Sequence, residues 1–293
     1  MELAGLIARF AAHDGVHATP IPRLDLVRMS APTGPVHAMH EQAIVFVAQG
    51  VKEVILGERV FVNGPEHFLV VSVSVPVIGR VSVATVRRPY LCMRLHLNVQ
   101  VLRELLADGS WDLDRRRREA SLSLGGMTPE LLDAATRFVS LLGSARDSRV
   151  LAPLVEREIL YRLLLSNQAD RLRQIAQVDG RVSQVNKAVD LIKKNFDKPL
   201  SIDAVARKVG LSQSALHEHF RAITGTSPLQ YQKRVRLQEA RRLIFAGDTD
   251  VASAAYQVGY ESPSQFNREY RRLFGAPPRR DQQTASSDFV GGI

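Results

Sequence analysis

Two groups of hydrogen-bonding side chains recur about fifty residues apart, each at the start of an amphipathic run. The first comprises Gln213, Ser214, His217 and Glu218; the second comprises Ser264, Gln265 and Arg268. Placed on the N-terminal turns of a helix, such groups reach base edges in a major groove. An arginine there can bond guanine O6 and N7 at once. Ser212 and Ser262 directly precede the two runs, and Arg221 and Arg271 lie about a turn beyond their centres. At those places phosphate oxygens are the nearer partners. Alone, His217 reads as a surface histidine and Arg268 as a solvated charge; position gives them meaning.

The elements that must hold these residues repeat as well. Leu216 is followed four residues later by Phe220, then by Gly225 and Pro228; Phe266, Tyr270, Gly275 and Pro278 keep the same spacing. Upstream, Ala206 precedes Gly210 by four and Ala255 precedes Gly259 by four. The alanines are small where a second helix must cross closely. The glycines can adopt the positive φ of a sharp turn. Ser201, Ser212 and Ser262 can cap helix starts through their side-chain oxygens, and Pro263 fits a first helical turn. The pattern predicts a duplicated helix-turn-helix, joined by one long helix over 228–246 that Gly247 ends.

The tract 201–278 resembles the DNA-binding domain of the AraC/XylS family of bacterial transcription regulators. The Ala206/Gly210/Leu216/Phe220/Gly225/Pro228 frame and, more diagnostically, the run from Val258 to Arg268 carry the resemblance. It implies that the long helix holds two recognition helices for successive major grooves of one DNA face. A helix of about 18 residues spans roughly 27 Å, the right order for grooves about 34 Å apart. It also implies RNA polymerase as a partner and favours activation.

Charge agrees with this reading. The 293-residue chain carries a formal net charge of +9. From Arg181 onward there are 18 Lys and Arg against 11 Asp and Glu; before it there are 21 against 19. The basic excess therefore lies with the expected DNA reader, as phosphate neutralisation requires. Cys92 is the only cysteine, so neither an internal disulfide nor a thiolate zinc cage can form. The single cysteine also argues against the cysteine-rich alkyl-transfer modules of some DNA-repair proteins with this type of DNA-binding domain. Cys92 is expected to be a buried small hydrophobe. The most apolar run, 68–78, is broken by Ser72, Ser74 and Pro76 and is too short to cross a bilayer. With no signal peptide, a cytoplasmic protein without membrane contact is expected.

The N-terminal half is Val-rich and turn-punctuated, which predicts strands at 43–48, 51–56, 58–63, 67–75, 81–86 and 90–97, folded as a sandwich or barrel. The runs 47–57, 69–77 and 89–91 resemble the cupin-like N-terminal domain of one AraC subfamily. Helices follow at 99–107, 128–142 and 151–175; they are open to two readings, a homodimer interface or packing on their own barrel. The run from Trp111 to Glu119 holds four consecutive arginines and reads as a solvated loop, with DNA contact as the alternative.

The expected fold is therefore α+β with two domains. A cupin-like barrel or sandwich with helices covers 1–176, and a linker covers 177–181. An all-α double helix-turn-helix domain covers 182–278, and a disordered tail covers 279–293. The expected function is a sequence-specific regulator of transcription that reads an operator on double-stranded DNA, with a small-molecule effector at the N-terminal domain to which no residue is assigned. No catalytic residue, metal or cofactor is expected. His37-x-x-His40 looks metal-like, but cupin metal sites draw on His-x-His, which the barrel lacks. The alternatives are a cupin-type metalloenzyme tethered to a DNA-binding module and an architectural DNA binder without sequence preference.

Overall fold

The computed structural model describes residues 2–108, 121–178, 180–247 and 249–288. The arginine run at 115–118 lies outside them. The described strands are β1 (Gly15–Ala18), β2 (Leu24–Met29), β3 (Val36–His40), β4 (Ala43–Gln49), β5 (Val51–Leu56), β6 (Arg59–Asn63), β7 (His67–Val71), β8 (Val75–Val83), β9 (Tyr90–His96) and β10 (Leu122–Gly126). They form two antiparallel sheets, ordered β1-β2-β9-β4-β7-β10 and β3-β8-β5-β6.

The central strands explain why β4, β7 and β9 are apolar at almost every position: both of their faces are covered. Ile44 pairs with Leu95 and Val70, and Phe46 with Met93 and Phe68. These side chains join one core with the helices behind the sheet. The alternate residues Leu69 and Val71, and Tyr90 and Cys92, pack instead towards the second sheet. Period-two alternation sends successive side chains to opposite faces, and here each face meets an apolar layer.

Two expected strands are corrected. The run 67–75 stops at Val71, because residues 72–74 cross from one sheet to the other. Ser72 N–H donates to Ser121 O at 2.8 Å, and its carbonyl accepts from Gln42 and Asn186. The run expected at 81–86 is instead the end of β8, which starts at Val75, passes through Gly79 and stops at Val83. The Lys52 side chain lies over Gly79, with Cε 3.1 Å from where a Cβ would sit.

The helices are α1 (Glu2–Phe10), α2 (Val99–Asp108), α3 (Pro129–Ser140), α4 (Ala145–Leu164), α5 (Ala169–Ala176), α6 (Arg181–Lys194), α7 (Ile202–Lys208), α8 (Gln213–Thr224), α9 (Pro228–Ala246), α10 (Val251–Gln257), α11 (Pro263–Phe274) and α12 (Pro278–Asp288). Thr128 caps α3 and Pro129 opens it. The single helix expected over 151–175 is two. Ser166 turns its hydroxyl onto Leu163 O, and Gln168 is buried with its amide on Leu124 O, so the chain breaks between α4 and α5. The expected disordered tail is corrected over 279–288, where α12 is helical and docked by Asp281; 289–293 lie outside the described residues.

The 177–181 segment connects α5 to α6, yet apolar packing continues across it. Val182, Val185, Val189 and Ile192 of α6 belong to the same core as Leu172 and Ile175 of α5. Polar ties reinforce the contact. Asn186 donates to Ser72 O, Tyr231 OH to Ser74 O at 3.0 Å, and Lys193 to Glu41 at 2.8 Å.

Candidate nucleic-acid interface

Each helix-turn-helix is built by local chemistry that the sequence encodes. Ala204 N–H donates to Ser201 Oγ at 3.2 Å, Ala215 N–H to Ser212 Oγ at 3.2 Å and Gln265 N–H to Ser262 Oγ at 3.3 Å. Asp250 caps α10 by accepting from the backbone of Ala252 and Ser253. Such caps contribute about 1 kcal/mol each. Gly210 and Gly259 turn the chain at φ of 71° and 86°. Ala206, Leu216 and Phe220 are buried in the first copy; Ala255, Phe266 and Tyr270 take those places in the second.

The polar candidates lie on the opposite faces. Gln213, Ser214, His217, Glu218 and Arg221 of α8 are exposed, as are Ser264, Gln265, Arg268 and Arg271 of α11. Ser212 is exposed and Ser262 partly so. Since each capping hydroxyl accepts from the backbone, its proton is left to donate to a phosphate. Two candidates are partly engaged already: Gln213 donates to Asp203 at 3.3 Å and Gln265 to Glu269 at 3.2 Å. Arg268, Arg221 and Arg271 have no side-chain partner among the described residues, so their guanidinium forks are available.

The long helix α9 clamps both copies. Arg236 donates to Phe196 O at 2.6 Å, to Lys198 O at 3.0 Å and to Gly259 O at 2.8 Å. Gln232 donates to the same Phe196 and Lys198 carbonyls. The turn of the second copy is thus held on the loop that precedes the first. A Cβ on Gly259 would overlap the Asp197 carbonyl oxygen; one on Gly210 would meet nothing within 4 Å.

Sequence reasoning missed Glu269, which anchors α11. This buried carboxylate accepts from Lys233 of α9 at 2.8 Å, from Tyr260 OH at 2.8 Å and from Gln265. Burial pushes its pKa up, but those three bonds outweigh burial and hold it below the usual glutamate range. The signal was present: Glu269 falls on the Phe266/Tyr270 face of the helix, where a carboxylate must find partners. Asp281 was missed too. It accepts from Arg241 and from Tyr270 OH, fastening α12 to α9 and α11.

The N-terminal sandwich encloses a cavity of about 50 Å³ lined by Val54, Leu69, Val71 and other apolar side chains, with Lys52, His40, Tyr90, Cys92 and Arg94 among its polar groups. Arg94 is paired with Asp25 at 2.7 Å. Glu41 also lines the cavity and is bonded to Lys193. Lys52 has no bonded acidic partner among the described residues, and burial pulls its pKa below the usual lysine range. His37 and His40 do not converge. His40 lines this cavity, whereas His37 lies against Phe274 of α11, 5.6 Å between ring centroids. Among the described residues no group of three or more His, Cys, Asp or Glu is placed to hold a metal ion. No described helix is long and apolar enough to cross a membrane.

Comparison with known proteins agrees with this architecture. Residues 205–284 match a helix-turn-helix domain family. The transcriptional activator RhaS of Salmonella schwarzengrund is 30% identical over 156 residues, 52% of this chain and 55% of its own. The regulator ArgR of Pseudomonas aeruginosa is 26% identical over 172 residues, 59% of this chain and 49% of its own. The chain thus spans about half the length of the curated relatives it matches. An apo variant of ToxT from Vibrio cholerae shares the fold at a TM-score of 0.60 and 11% identity, over 88% of this chain and 96% of that one. Wild-type ToxT with a bound unsaturated fatty acid gives 0.59 at 10% identity, over 89% and 93%. Residues 20–171, more than half of the chain, match the AraC-type transcriptional regulator N-terminus, and the chain belongs to the AraC family of transcriptional regulators.

Proposed function

We propose that the protein is a cytoplasmic, sequence-specific activator of transcription that reads two successive major-groove segments of its operator. One observation carries the reading: two capped helices, α8 and α11, expose polar side chains at equivalent positions while one helix, α9, fastens both copies. Gln213, Ser214, His217 and Glu218 read one segment; Ser264, Gln265 and Arg268 read the other. Ser212, Arg221, Ser262 and Arg271 hold phosphates. The division into a regulatory part (1–176) and a DNA-reading part (182–278) belongs to the same proposal, as does contact with RNA polymerase.

Two further features support regulation. The sandwich cavity is apolar-walled and holds Lys52 without a bonded counter-charge, a setting for an anionic effector. The fatty acid held by ToxT is of that class. At about 50 Å³ the cavity is far below the 300–1,000 Å³ typical of ligand pockets, so an effector enters only as the sheets part. Val150, Leu154 and Leu165 share one face of the α4 region and are 62% exposed. That face supports a homodimer, for which an unpartnered apolar stripe is the ordinary signature.

The test is selection of binding sites from random DNA, followed by footprinting of the full chain at physiological salt. Two protected segments about one helical turn apart are expected. Uniform protection without sequence preference would mark an architectural binder instead.

A further inference from the structure

A second cavity, of about 130 Å³, lies where the sandwich meets the DNA-reading helices. It is well above the roughly 10–15 Å³ that admits one water. Its sandwich wall is His37 of β3 with Pro76 and Ile78 of β8; its other wall is Arg234 and Gln238 of α9 with Leu273 of α11. Three polar side chains converge there with no hydrogen-bonded side-chain partner among the described residues. Arg234 lines the cavity while the residue as a whole is exposed, and no acidic group is bonded to it. Gln238 Oε1 is buried and accepts no hydrogen bond. Burial first, and then Arg234 and Arg241, hold the His37 pKa below the ordinary histidine value, so at neutral pH the ring is uncharged. The acidic group that acts on His37, Asp281, is already bonded to Arg241 and Tyr270.

An orphaned buried acceptor is costly, and the guanidinium beside it lacks an anion; a single ligand can satisfy both. Arg234 calls for an oxyanion. Gln238 Oε1 requires a donor beside it. We infer that this junction binds a small oxyanion bearing its own hydroxyl, a hydroxycarboxylate or a protonated phosphate, between β3 and α9. The site is separate from the effector cavity and does not depend on it. A ligand here touches both the sandwich and the helix that fastens the two recognition helices, so it adds to the ties made by Tyr231 and Lys193.

The experiment is isothermal titration of the full chain in an amine buffer at constant ionic strength with four probes: phosphate, sulfate, glycolate and acetate. Sulfate and acetate lack the hydroxyl at neutral pH. At least tenfold tighter binding of phosphate over sulfate, or of glycolate over acetate, is expected, and whichever pair shows it identifies the source. Arg234→Met keeps the aliphatic stem and should weaken the preferred probe tenfold or more. Gln238→Met should instead abolish the preference while leaving residual anion binding. Should Arg234→Met fail to fold, Arg234→Lys, which retains charge without the fork, should weaken binding by a smaller factor. No saturable binding of any probe, equal affinity within both pairs, or affinity unchanged in the Arg234 variants would overturn the inference. Binding that survives Arg234→Met but is lost in Lys52→Met would place the anion in the sandwich cavity and overturn it too.

Discussion

Alanine at position 259 meets obstacles that alanine at position 210 does not. Both glycines have positive φ, 86° and 71°, so both substitutions incur the left-handed penalty of about 1–2 kcal/mol for a residue with a Cβ. At 210 nothing else stands within 4 Å. At 259 the new Cβ would overlap the Asp197 carbonyl oxygen and lie 2.9 Å from Arg236 Nη2. Relief requires the 196–198 loop or the turn to move, which strains the Arg236 bonds to Gly259 O and Phe196 O. Losing a hydrogen bond to a charged donor costs about 1.5–3 kcal/mol. Gly259→Ala should therefore cost about 2.5–5 kcal/mol, the sum of the backbone penalty and one such bond. Gly210→Ala should cost about 1–2 kcal/mol, the backbone penalty alone. At about 2–4 °C per kcal/mol for a large domain, the pair should be separated by at least several degrees in thermal unfolding. Gly259→Ala should also weaken operator binding and lose protection over one of the two segments, because α11 is then held at a different angle. Equal thermal shifts for the two variants would refute the reasoning: the clamp between α9, the 196–198 loop and the second turn would then contribute nothing.

Arg268→Ala should relax specificity at one or two base pairs, at about 1–3 kcal/mol of lost discrimination, with non-specific affinity nearly unchanged. Arg221→Ala and Arg271→Ala should weaken all sequences alike and reduce the salt slope by about one; titration of single-base operator variants at several salt concentrations distinguishes the two behaviours. Glu269→Gln should lower the thermal midpoint at pH 7. The folded-state pKa of Glu269 is depressed, so its contribution is present above the unfolded pKa and lost as pH falls through the folded one. The difference between variant and parent should accordingly shrink in acid below the ordinary glutamate range; a difference independent of pH would mean that charge is not what anchors α11. Leu154→Glu with Leu165→Glu should leave a folded monomer by sedimentation, and an unchanged assembly state would remove α4 from the proposed interface.

What could be read from the chain was what short-range chemistry determines. Caps, left-handed glycines and the i, i+4 pairs of each helix-turn-helix are decided within about a dozen residues, and these local features recur in the folded chain at Ser212, Gly259 and Phe266 with Tyr270. The strands buried on both faces, β4, β7 and β9, were legible because two apolar neighbours make every position apolar. The strands β1, β2, β3 and β10 were not, since single runs such as Val36–His40 alternate weakly and gain order only from a partner distant in sequence. The same limit hid α12: its run of Arg, Gln and Ser has no apolar stripe, and what docks it is Asp281 reaching Arg241, forty residues away. It also hid the closeness of the two halves. A linker can be inferred from Asp179-Gly180, but not that α6 then returns to share a core with α5, or that Tyr231 reaches Ser74. This distinction bears on function. The residues that would read DNA are set locally and stay exposed, whereas those able to transmit a signal to them, Glu41 to Lys193, Ser74 to Tyr231 and His37 beside Phe274, are long-range contacts between the sandwich and the helices. The Glu41–Lys193 pair is part-exposed and contributes about 0–1 kcal/mol by itself, so it cannot couple the halves alone; the Tyr231 bond to Ser74 and the apolar core shared by α5 and α6 join them as well.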